Sequence, residues 1–167
     1  MNTLHMQKIT PCLWFDTQAE EAVNLYISIF KDGKMLTETR YDKASAEVSG
    51  QPEGSILTCE FELFGQKFMA LNGGPLFKFS EAVSLVVDCE DQAEVDRYWN
   101  ALVADGGQES QCGWLKDKFG FSWQIVPKLL TKLLTDSDPK KAQAAMKAML
   151  EMKKIDCAAL QAAYDQA

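Results

Sequence analysis

The chain has one histidine, His5, ahead of any segment with secondary-structure periodicity, and its five cysteines (Cys12, Cys59, Cys89, Cys112, Cys157) never form a CxxC pair. Structural zinc draws on closely spaced cysteines and histidines and is therefore excluded, while an odd, scattered set suits reduced thiols better than disulfides. No apolar run approaches the roughly 20 residues of a membrane span, and MNTLHMQKIT lacks the apolar core of a secretion signal. A cytoplasmic protein without membrane association is expected. Basic residues number 17 against 24 acidic ones, for a net charge of −7. Phosphate neutralisation needs a basic stripe, so nucleic acid is excluded as a partner and a small molecule or another protein remains.

What is present suffices for a real core: 167 residues, 47% of them hydrophobic, read as a single domain over 1–167 with an internal duplication. Ile9–Phe15 has strand character, and a helix follows with Ala22, Val23, Tyr26, Ile27 and Phe30 at helical spacing, capped by Asp16 or Thr17. Ala82–Val87 repeats the strand and Gln92–Val103 the helix, with Val95, Tyr98, Trp99 and Leu102 inward and Asp88 in the place of Asp16. Leu13 and Leu85, Asp16 and Asp88, Val23 and Val95, and Tyr26 and Tyr98 all stand 72 residues apart.

Each helix ends in a glycine turn, after which antiparallel strands are expected. In the first copy these are Lys34–Tyr41, Ser55–Leu63 and Gln66–Asn72, turning at Phe64-Gly65. In the second, Trp114–Asp117 and Phe121–Val126 turn around Phe119-Gly120. Matching Gly65 to Gly120 makes Met69 the counterpart of Gln124. The fold class is thus α+β: two βαβββ modules (9–72 and 82–126) forming a curled mixed sheet, with a helical extension over 127–167. Ala44–Gly54 reads as an exposed loop. In the extension, a helix capped by Ser137 or Asp138 carries Pro139 in its first turn, and Met146, Met149, Leu150 and Met152 line a stripe suited to packing or to a plastic binding surface.

Strand alternation turns Leu13, Phe15, Leu85 and Val87 toward the helices. The opposite face then presents Thr10, Cys12 and Trp14 from the first module, with Ala82, Ser84, Val86, Ser122, Gln124 and Val126 from the second. Trp14, Trp114 and Trp123 with Phe68, Phe77 and Phe79 offer aromatic walls for a flat or apolar ligand. The Asn72-Gly73-Gly74-Pro75 turn offers backbone amides to an anionic group.

Three stretches, TPCLWFDTQAEEAVNLYISIF, FMALNGGPLFKF and CGWLKDKFGFSWQIVP, resemble the PhnB-like, or 3-demethylubiquinone 3-methyltransferase-like, branch of the vicinal oxygen chelate superfamily, and the tail MKAMLEMKKIDCAALQAAY is similar to that branch as well. The superfamily includes glyoxalase I, bleomycin-resistance proteins and extradiol dioxygenases. The resemblance implies paired βαβββ modules around a pocket, a homodimer, and in metal-binding relatives a divalent ion on four side chains. Those places fall near Thr10, Met69 to Asn72, Ala82 and Gln124, of which only Gln124 is a plausible ligand, so no cofactor is expected and a divalent metal is the alternative.

The leading expectation is therefore a metal-independent small-molecule-binding protein whose acidic charge favours a cationic ligand. Its ligand-binding residues are Thr10, Cys12, Trp14, Met69, Asn72, Ala82, Ser84, Trp114, Ser122 and Gln124. The alternative is a lyase, isomerase or dioxygenase-type enzyme working through Glu60, Glu62, Glu81 or a Cys12 nucleophile. A dimerisation module without a ligand is a third reading. The methyl transfer in the family's label has no cofactor motif here, since neither βα alternation nor a glycine-rich loop after the first strand is present.

Overall fold

In the computed structural model, which describes residues 7–167, the chain forms two compact units, the first ending at Lys78 and the second running over Phe79–Ala167. His5 lies outside the described residues. The first unit builds β1 (Cys12–Phe15), α1 (Ala19–Ile29), β2 (Lys34–Arg40), α2 (Lys43–Ser49), β3 (Ile56–Leu63) and β4 (Gln66–Asn72). Its sheet has the order β1-β4-β3-β2, with β1 parallel to β4 and the other pairs antiparallel. Leu13 and Phe15, Phe68 and Ala70, and Cys59, Phe61 and Leu63 are buried on alternate positions of their strands, as are Ala22, Val23 and Tyr26 on α1. The alternate set of each strand forms the second face.

The second unit repeats the plan with β5 (Ser84–Cys89), α3 (Gln92–Val103), β6 (Gln108–Glu109), β7 (Trp114–Lys116) and β8 (Ser122–Pro127) in the order β5-β8-β7-β6. Val95, Tyr98, Trp99 and Leu102 of α3 are buried, as are Leu115, Trp123 and Ile125 of the sheet. The expected α+β class, with two four-stranded mixed sheets and a helical extension, is observed.

Several local expectations are corrected. Ala44–Gly54 is not a loop throughout, because Lys43–Ser49 is helical. Asp42 accepts from Ser45 N, the Ser45 side chain accepts from Asp42 N, and Gly50 ends the helix at φ 71°. This capping box carries a helix with no buried face, so hydrophobic periodicity could not reveal it. Neither Asp16 nor Thr17 caps α1. The cap is Asn72, whose Oδ1 accepts from Ala19 N at 2.8 Å across 53 residues. Asp91, not Asp88, caps α3, accepting from Glu94 N.

The extension forms α4 (Lys128–Leu134), α5 (Pro139–Leu150, capped by Asp138) and α6 (Cys157–Asp165). Leu130, Leu133, Ala145, Ile155 and Leu160 make its core, with Met149 and Met152 packed against it. The Gln92 amide, at the start of α3, donates to Ile155 O and accepts from Cys157 N, which fastens the extension to the second module. Met146 and Leu150 stay exposed, so the methionine stripe divides between packing and surface.

Candidate functional site

The ladder registers decide which positions of the two modules correspond. Trp14 pairs with Leu71 and Val86 with Gln124, while Cys12 pairs with Met69 and Ser84 with Ser122. Because Trp14 and Val86, like Cys12 and Ser84, stand 72 residues apart, the counterpart of Gln124 is Leu71 and that of Met69 is Ser122. The glycine match fails because the turns differ in length. Leu63 pairs with Gln66 across the two-residue turn Phe64-Gly65, whereas Lys116 pairs with Ser122 across Asp117–Phe121.

On the second face of the first sheet, Thr37, Glu60, Met69 and Cys12 lie in one row, and Thr39, Thr58, Leu71 and Trp14 in the next. Its polar groups are already engaged with one another. Thr37 Oγ1 donates to Glu60 Oε2 at 3.0 Å, the Thr39 and Thr58 hydroxyls meet at 2.6 Å, and Lys34 Nζ sits 2.8 Å from Glu62 Oε1. The Lys34 ammonium is held above its usual range, first by that hydrogen bond. Cys12 is exposed, yet the protein around its sulfur pushes the thiol upward, away from the thiolate a nucleophile needs.

The Asn72 turn is structural in detail. Besides capping α1, the Asn72 amide donates to Ile56 O, and its carbonyl accepts from Tyr41 Oη at 2.6 Å. Gly73 N and Gly74 N donate to Phe15 O and Asp16 O, so the amides expected to receive an anion are already used. A Cβ on Gly73 would fall 2.2 Å from the Trp14 ring, whose Nε1 donates to Gly74 O. Only glycine lets the indole lie across the turn, where Phe77 meets it edge-on at 4.9 Å.

The second face of the second sheet is different. Ser84, Ser122 and Lys116 form one row, and Val86, Gln124 and Trp114 the next. Gln124 Nε2 donates to Ser84 Oγ at 2.9 Å, and both residues are half-buried. Lys116 Nζ lies 2.5 Å from Glu81 Oε1 and holds that carboxyl below its usual range, so Glu81 stays ionised rather than serving as a proton donor at neutral pH. Ser122 is buried and its hydroxyl has no hydrogen-bond partner among the described residues. Thr10 and Ala82, assigned to the pocket as strand residues, lie ahead of β1 and β5 and are exposed.

A separate cavity of about 370 Å³, not anticipated from the sequence, opens in the first unit between the start of α1 (Thr17, Glu20), Arg40 and the segment holding Gln51, Pro52 and Ser55. Its walls come together only through the β2–β3 connection, so no local pattern announces it.

Paired βαβββ units with a mixed sheet apiece place the chain in the vicinal oxygen chelate superfamily, the glyoxalase and bleomycin-resistance fold. Within it, residues 7–126 match the model of the 3-demethylubiquinone-9 3-methyltransferase family, and the chain belongs to that family. It is similar to the PhnB protein of Bacillus cereus at 35% identity and a TM-score of 0.64, covering 72% of this chain and 99% of that one. A Pseudomonas aeruginosa protein shares the fold at 20% identity and a TM-score of 0.58, over 73% of this chain and 98% of its own. So does the fosfomycin resistance protein FosX of Listeria monocytogenes, solved with Mn(II) and a dihydroxypropylphosphonic acid, at 13% identity, a TM-score of 0.51 and coverage of 72% and 93%. No curated protein matches significantly. The family match stops at 126 and so excludes the helical extension.

The manganese of that distant neighbour raises the question of fit. At the places implied by the superfamily the side chains are threonine, methionine, leucine, alanine and two amides, of which Asn72 is engaged with Ala19 N and Ile56 O, and among the described residues no group of three His, Cys, Asp or Glu is placed to hold a metal. Divalent ions draw on carboxylates, imidazoles or several oxygens together, and this donor set does not fit one.

Proposed function

We propose that the chain is a small-molecule-binding protein whose ligand sits on the second face of the second sheet, against Gln124 and Ser84, without a metal. The observation that carries this reading is the Gln124–Ser84 hydrogen bond, which sets a neutral amide and hydroxyl on an accessible face at the last position of the superfamily's ligand set. Methyl transfer is not part of the reading: mixed four-stranded sheets replace the doubly wound sheet on which a typical methyltransferase binds its cofactor. A cytoplasmic homodimer is, supported by the family resemblance and by the exposed Leu76 and Val83.

Protein purified without chelator is expected to carry far less than one metal per chain and to show no heat of binding with S-adenosylmethionine. A small-molecule thermal-shift screen should yield ligands whose stabilisation is lost in Gln124→Ala, and light scattering should give twice the chain mass. Near-stoichiometric nickel, iron or zinc that disappears in Gln124→Ala would overturn the metal-free reading.

A further inference from the structure

Buried hydroxyl groups are nearly always hydrogen-bonded, because one left unmet keeps the cost of leaving water. Ser122 Oγ breaks that rule: the residue is 1% exposed and its hydroxyl has no partner among the described residues. Its neighbours explain why the protein does not satisfy it. Ser84, directly across the ladder, receives its hydrogen bond from Gln124 instead. Lys116, across the other ladder, is taken by Glu81. Alternation sets Ser122 on the same face as Gln124, two residues along and roughly 6.6 Å away.

We propose that Ser122 is the ligand-contacting hydroxyl of this site, and that the ligand is an uncharged, oxygen-bearing ring compound. The proposal rests on the small-molecule reading above and narrows its ligand class. Around Ser122 the groups are the Ser84 hydroxyl, the Gln124 amide, and an ion pair whose charges cancel. An anion has to take Lys116 from Glu81. The next carboxylate along that face for a cation, Asp88, lies four residues beyond Ser84 along β5, roughly 13 Å off, and is already within the field of the Lys128 ammonium. Trp114 and the 56% exposed Val86 flank Gln124 in its row and supply apolar contact for a ring.

Four probes of one ring test this by NMR titration: benzyl alcohol, toluene, benzoate and benzylammonium. Benzyl alcohol is expected to bind tightest. Ser122→Ala should weaken benzyl alcohol about tenfold and leave toluene unchanged, as a single lost hydrogen bond requires. The same variant without ligand should melt at or above the parent's temperature, since it removes an unmet buried hydroxyl. Tighter binding of either ion, equal effects of Ser122→Ala on benzyl alcohol and toluene, or a lower melting point without ligand overturns the proposal. If Gln124→Ala weakens the probes while Ser122→Ala does not, the binding site stands and the role of Ser122 falls. If no probe shifts a resonance of the second sheet, both fall.

Discussion

The two modules descend from one plan and secure it by opposite means. In the first, the key polar residue acts at long range: Asn72, on the last strand, caps the helix that follows the first and also ties down Ile56. In the second, the work is local. Asp91 caps its own helix, and Asp117, 2% exposed, gathers Phe119 N, Phe121 N and Trp123 Nε1 within six residues. The second faces differ likewise, since the first sheet's polar groups are largely paired with one another while the second leaves Ser122 unmet and Gln124 accessible. A duplicated fold keeps its apolar scaffold while each copy assigns its polar residues separately, and ligand chemistry is free to concentrate in one of them.

The largest expected effect breaks the local device. Asp117→Ala leaves two buried donors and a half-buried one without their shared carboxylate and should cost about 3–5 kcal/mol in urea unfolding. Asp117→Asn, which keeps an acceptor, should lose less than half of that. A loss under about 1 kcal/mol for the alanine variant means that the β7–β8 turn is held by something else.

Next comes the contrast between caps. Asn72→Ala removes a cap and strands a buried carbonyl, for about 2–3 kcal/mol, whereas Asp91→Ala exposes an ordinary surface cap to water, for about 1 kcal/mol. Equal costs from the two variants erase the distinction between remote and local capping.

This contrast also explains what was legible beforehand. The strands Lys34–Arg40, Ile56–Leu63 and Gln66–Asn72, and the helix Gln92–Val103, follow from periodicity, because burial imposes periods of 2 and 3.6 on the chain. The helix Lys43–Ser49 buries nothing and left no such imprint, although Asp42, Ser45 and Gly50 signalled its ends. The cap at Asn72 joins residues 53 apart, which no local pattern encodes. Gln124, Ser84 and Ser122 were reachable from strand alternation. Their exact counterparts were not, because register depends on turn length, and Asp117–Phe121 is longer than Phe64-Gly65.

The smallest effect concerns a feature the modules share. Cys59 in the first sheet and Cys89 in the second are fully buried, and burial raises their thiols from 9.0 to about 11 and about 12 respectively. The folded chain therefore keeps protons that the unfolded chain releases once pH exceeds 9.0. The resulting stabilisation is complete below that value and is lost as pH rises, until each thiol ionises within the fold. At pH 9, with half the unfolded thiols ionised, the loss is about 0.4 kcal/mol per thiol and the same for both modules. Only above about 11 do they separate, as Cys59 levels off while Cys89 continues toward about 12. Urea unfolding of Cys59→Ala and Cys89→Ala between pH 7.5 and 9.5 should show each variant falling less steeply than the parent, by equal amounts. An unchanged slope in one variant shows that its thiol meets water in the folded state, and the modules then differ in their cores as well as in their polar faces.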